Sequence, residues 1–148
     1  MPEFVFITSE QVKADCEAIG ITDWSNRKDN RVDEQEAEVI REIIGGEALE
    51  IPLAEFKMGL EIELEHGTQF PAANVSGNHP VATGRIVLAH LKEGLDYYLR
   101  LACMELEMEL TAALSDGNSE RAKIKRRELA AAREAREKSI LEKLSEAR

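Results

Sequence analysis

Cysteine, aromatic residues and long apolar runs are all scarce in this chain, and each scarcity excludes something. The only cysteines in 148 residues are Cys16 and Cys103. With no CxxC spacing, paired-thiol motifs are excluded, and both residues read as reduced core side chains of a cytosolic protein. Aromatics make up only 5%, against 43% hydrophobic and 32% charged residues, which argues against an all-β fold and for helices around an aliphatic core. No apolar run approaches the roughly eighteen residues of a membrane span, and no charged-then-apolar leader opens the chain. The expected location is cytoplasmic, with no membrane partner. No glycine-rich phosphate loop follows a strand, no GxSxG occurs, and neither cysteine has a histidine nearby in an exposed setting. An enzyme is therefore not expected, and no catalytic residue is assigned.

Abundant acidic charge is distributed unevenly. The net charge is −10, but residues 119–148 hold ten Lys/Arg and six Asp/Glu, whereas the first 118 hold nine basic and twenty-three acidic residues. This pattern predicts an acidic helical domain over 1–117 followed by a basic C-terminal helix over 118–148. Such a body repels phosphate, so nucleic acid is an expected partner only through the basic tail. A chain of this length can bury about 70% of its unfolded surface, enough for one real core.

Helix signals punctuate the chain. Thr8 and Gln11 have capping-box spacing and Gly20 closes a first helix over about 8–19, with Phe4 and Phe6 available to dock on the core. Trp24, in the polar stretch that follows, reads as a loop anchor. A second helix runs from near Asp33 to Gly45 with Ala37, Ile40, Ile43 and Ile44 as its stripe. A third starts at Pro52, places Phe56, Leu60 and Leu64 on one face and ends with Gly67 as a left-handed cap. Residues 67–83 lack helical period, and a structureless loop of that length is often functional. Helix returns at Gly84, breaks near Gly94 and continues to about Leu114, and a final helix follows from Ser119. Heptad positions in the last segment run Leu129, Ala132, Arg136, Ser139, Lys143, so no sustained apolar seam is expected there. The expected fold is all-α, an irregular bundle of about five helices with a long charged C-terminal helix.

Two pairs carry candidate chemistry, Glu63-x-x-His66 and His90-x-x-Glu93. Residues three apart share a helix face, so each pair can present a carboxylate with an imidazole. If the two helices pack antiparallel, Glu63, His66, His90 and Glu93 form an alternative site for a divalent transition metal. Against this stands an ordinary structural reading, in which His66 answers the last carbonyls of its helix, Glu63 pairs with Arg85, His90 bonds within the core and Glu93 is solvated. The structural reading is favoured, and no cofactor is expected.

The stretches FKMGLEIELEHGT, NVS and TGRIVLAHLKEGLDYYLRLACME together resemble an uncharacterised domain family of bacteria and tailed bacteriophages, over about Phe56 to Glu105. The resemblance implies a phage-related ancestry and no particular activity. The expected function is that of a non-enzymatic small helical interaction protein. It would be phage-encoded and part of a virion assembly, and it would reach a protein partner or further copies of itself through the C-terminal helix.

Overall fold

The computed structural model describes residues 6–146, and among these the fold is all-helical. Six α-helices follow one another: α1 Ser9–Ile19, α2 Glu34–Ile44, α3 Leu53–Gln69, α4 Pro80–Glu93, α5 Tyr97–Ser115 and α6 Ser119–Glu146. Short 3₁₀ turns lie at Gly46–Glu50 and Pro71–Ala73.

The chain divides into two compact units between Leu95 and Asp96, whereas its charge changes near residue 118. The two boundaries differ because α5, acidic in composition, packs with basic α6. The first unit holds α1 to α4, with α2, α3 and α4 packed on one another. Its core is Val12 and Cys16 of α1, Ala37 and Ile40 of α2, Phe56, Leu60 and Leu64 of α3, Val87 and Leu91 of α4, and Trp24. Gly84 lets α4 come close: a Cβ there would lie 2.7 Å from Ile44 Cδ1, 2.8 Å from Ile40 Cγ2 and 3.2 Å from Phe56 Cζ.

Caps set the helix ends. The Thr8 hydroxyl accepts from the Gln11 amide, but a full reciprocal capping box is formed at Asp33 and Glu36, starting α2. Helix α3 does not end at Gly67. It runs to Gln69, with Gly67 helical rather than left-handed. Helix α4 begins four residues earlier than periodicity suggests, because Pro80 occupies its first turn and His79 caps it. The irregular connection is thus far shorter than 67–83. Phe6, expected on the core, is 72% exposed, and Phe4 lies outside the described residues.

The second unit is an α5–α6 hairpin closed by Asp116, Gly117 and Asn118. Gly117 adopts φ +67°, the amides of Asp116, Gly117 and Asn118 donate to carbonyls at the end of α5, and the Asn118 side chain caps α6 through the Arg121 amide. Ala122 and Leu129 are buried, while Lys125, Ala132, Arg136 and Ser139 are half-buried. These positions alternate by three and four, so the heptad strip faces inward although it lacks bulk. Alanines permit close approach, and Lys125 lays its stem in the seam while its Nζ reaches Glu109 and Glu128, each at 2.7 Å. Arg133 meets Glu107 at 2.8 Å.

Both cysteines are buried and unpaired, as their apolar setting predicts. Burial pushes the Cys16 thiol above its usual range, and the nearby Asp23, Glu36 and Asp15 carboxylates add to the shift against one lowering contact from the Trp24 backbone. Native protein at neutral pH is therefore expected to label with a thiol reagent at least about a hundredfold more slowly than unfolded chain. Rapid labelling at both positions without loss of helical signal would contradict this packing.

Candidate functional site

Three of the four sequence candidates converge. Glu63 and His66 lie near the end of α3, and His90 lies in the last turn of α4. His90 Nδ1 is 3.0 Å from Glu63 Oε1, and His66 Nδ1 is 3.8 Å from Glu63 Oε2. One carboxylate, 12% exposed at its side chain, thus stands between two imidazoles. The shorter contact is a hydrogen bond and the longer one an electrostatic contact. Both rings sit at helix C-termini, where orphan carbonyls favour positive or donating groups. Glu93 is exposed at the end of α4. The expected Glu63–Arg85 pair is not formed: Arg85 is exposed, and histidines take its place. Arg85 and His90 lie on α4 five residues apart, so which of them faces Glu63 is set by the packing of α3 on α4 and not by spacing within either helix.

Metal-ligand geometry does not emerge from this convergence. Among the described residues, no group of three or more His, Cys, Asp or Glu side chains is placed to hold a metal ion. Glu63 and His90 instead bond to each other. Glu63→Gln keeps an acceptor but loses the charge that both imidazoles face. It is expected to lower stability by about 1 kcal/mol, equally with and without a chelator. A chelator effect on wild type that vanishes in this variant would reverse the assignment.

Beside this cluster opens a cleft of about 270 Å³ whose walls include Glu63, His66, Phe70, Ala73, Val75 and Ile86. Its rim is apolar and exposed, Phe70 at 59% and Val75 at 76%. The segment carrying these residues is held by its own hydrogen bonds. Asn74 Nδ2 donates to Asn78 Oδ1 at 2.8 Å, and the Ser76 hydroxyl donates to Asn74 Oδ1 at 3.1 Å. Gly77 and Asn78 both take positive φ. The glycine of ELEHG is the seat for this loop, since a Cβ at Gly67 would lie 2.8 Å from Asn78 Oδ1 and 2.9 Å from Asn74 Nδ2. Gly67 marks a close approach rather than a helix end.

Two further polar clusters escape spacing rules. His79 Nε2 meets Asp15 Oδ2 at 3.0 Å, and His79 Nδ1 accepts from the Ala82 amide at 3.3 Å. With one nitrogen committed to a carboxylate and the other to a helix cap, the ring joins α1 to α4 and cannot also serve as a base. The partners are 64 residues apart; the one sequence signal was a histidine directly before Pro80, in the cap position. The second cluster surrounds Glu36, 6% exposed. Its carboxylate accepts from the Thr22 amide and hydroxyl and the Asp33 amide, and Arg27 Nη1 lies 3.5 Å away. Burial pushes this carboxyl up, but bonds from Thr22 and Asp33 and the Arg27 charge outweigh it and hold the group below its usual range. Arg27 also lies over the fully buried Trp24, 5.3 Å from the ring centroid, so Trp24 is the anchor that its loop position predicts. Thr22, Arg27, Asp33 and Glu36 line a cleft of about 500 Å³. The Glu36 carboxylate is satisfied there by its neighbours and reads as structural, while Arg27 Nη1 and the Trp24 indole Nε1 are buried without a hydrogen-bond partner among the described residues.

No curated protein and no solved structure matches the chain. A family model does match, over residues 12–107, from α1 into α5. The matched segment contains every residue of the Glu63, His66 and His90 cluster and of the loop that walls the cleft, and leaves α6 outside. The chain belongs to the family described as protein of unknown function DUF5661.

Proposed function

We propose that this protein is a non-enzymatic helical interaction module whose contact surfaces are the cleft rim and the basic start of α6. In its finer form the proposal is a phage-encoded component of virion assembly, working without a cofactor. One observation carries the interaction reading: Phe70 and Val75 are large, exposed and mounted on a connection fixed by side-chain hydrogen bonds. Apolar side chains held out to water on an ordered segment mark contact surfaces more than core. The clusters around His79 and Glu36 support the non-enzymatic part, since the imidazole and the carboxylate at their centres bond to neighbours within the fold.

Phe70→Ser with Val75→Ser is the test, because both side chains are exposed and their loss is expected to leave the melting temperature within about 2 °C of wild type. A protein that co-purifies with wild-type chain from its native cell should be lost with the double variant. Retention of every co-purifying protein by the variant would refute the cleft rim as a contact surface for other proteins. Placement of the gene among capsid or tail genes tests the virion form, and placement in an unrelated metabolic operon would count against it.

A further inference from the structure

We propose that the cleft beside Phe70 and Val75 receives the basic first turns of α6 from a second copy of this chain, so that copies join head to tail. The inference rests on the interaction reading above and names the partner.

The start of α6 carries charge that its own fold leaves unused. Arg121, Ile124 and Arg127 are three apart and form one strip. The neighbouring Glu120 and Glu128 are engaged by Lys123 at 2.8 Å and Lys125 at 2.7 Å. Among the described residues, no hydrogen bond or ion pair engages the side chains of Arg121, Arg126 or Arg127. Ile124, in their midst, is 52% exposed. Arg121, in the first turn, faces the positive end of the helix dipole and opposes helix formation, and Arg126 and Arg127 follow it as exposed, unengaged cations. An apolar side chain ringed by such cations therefore has the form of a contact rather than of a helix-stabilising design.

The complementary surface lies on the first unit. Residues 1–95 carry eighteen acidic and eight basic side chains, whereas residues 96–148 carry eleven of each. The cleft on that unit has apolar walls beside Glu63. At about 270 Å³ it falls below the roughly 300–1,000 Å³ of small-molecule pockets and suits one or two protruding side chains. Ile124 supplies the apolar plug, and the flanking guanidiniums meet a unit with ten more acidic than basic side chains (eighteen against eight). Nucleic acid fits less well, because the same carboxylates repel phosphate. The two surfaces differ, so the contact is heterologous and propagates into rings or open chains.

Sedimentation of the full chain at increasing concentration tests this. In about 0.1 M salt, where the Debye length is about 10 Å and local complementarity outweighs net charge, wild type is expected to form oligomers that dissociate near 1 M. Arg126→Glu with Arg127→Glu should weaken association at least about tenfold while leaving the melting temperature within about 2 °C of wild type, because both side chains are exposed. Phe70→Ser with Val75→Ser should weaken association equally. The decisive step mixes these two variants: one retains the cleft, the other the basic strip, so together they should form a one-to-one pair and nothing larger. A monomer at every concentration and salt, association unaffected by either variant, or failure of the mixture to pair would overturn the proposal. So would arginine-dependent binding of duplex DNA by a chain that stays monomeric. The co-purification test above reads a different partner, so either idea can fail alone.

Discussion

Glu36→Ala is expected to destabilise the protein by about 3 to 5 kcal/mol, the usual cost of removing one partner from a buried charged pair. The substitution leaves Arg27, beside Trp24, with only the exposed Asp29 at 3.8 Å and the Arg31 carbonyl as partners, removes the acceptor of the Thr22 amide and hydroxyl, and opens the capping box that starts α2. Urea unfolding of variant and wild type measures the loss, and a difference below about 1 kcal/mol would show that the cluster is dispensable. Acid titration provides a second reading. The folded carboxyl is held below the ordinary glutamate value of 4.5, so its contribution is complete above that value and fades as pH falls through the lower folded value. The gap in stability between wild type and Glu36→Gln should therefore be widest near neutrality and shrink below about pH 4.5. A gap that widened on acidification would contradict the depressed pKa.

The second large effect belongs to Gly84. Its missing Cβ would meet two isoleucine methyls of α2 at under 3 Å, so Gly84→Val is expected to cost about 3 kcal/mol or more. Gly84→Ala should cost less, about 1 to 2 kcal/mol, because the clash is offset by roughly 1 kcal/mol of improved helix propensity. Adding Ile44→Val deletes the nearer methyl and should restore part of the loss in Gly84→Ala. Strict additivity of the two substitutions would mean that the methyls do not press on this position.

Helix identity was legible in the sequence because it rests on local chemistry. The stops at Gly20 and Gly45, the break at Gly94 and the long last helix follow from caps, apolar stripes and glycines. What local chemistry could not supply was the reason for a residue that acts across the fold. Gly67 looks like a helix end until the asparagines against it are known, and whether Arg85 or His90 faces Glu63 depends on how α4 packs on α3. Asp15 and His79 have no periodic relation at all. The heptad strip of α6 lacks bulk in the sequence, and the burial of an alanine or a lysine stem depends on how near the neighbouring helix lies. For the candidate site, convergence of Glu63, His66 and His90 was readable from two i,i+3 pairs, while the cleft beside them needed the loop.

The tight closure of the α5–α6 hairpin has a consequence for the order of folding. Its contacts join residues near in sequence, from Glu109 with Lys125 to Glu107 with Arg133, and such local pairings form rapidly. Synthesis nevertheless delivers α5 well before α6, so Cys103, buried in the native state, and the half-buried Leu106 and Leu110 have no partner helix until the three-residue turn and α6 emerge. For that interval the nascent chain exposes an adhesive helix, the kind of transient surface that recruits chaperones or neighbouring chains. Stalling or truncation within the turn would therefore leave an aggregation-prone product, whereas a stop before α5 would not.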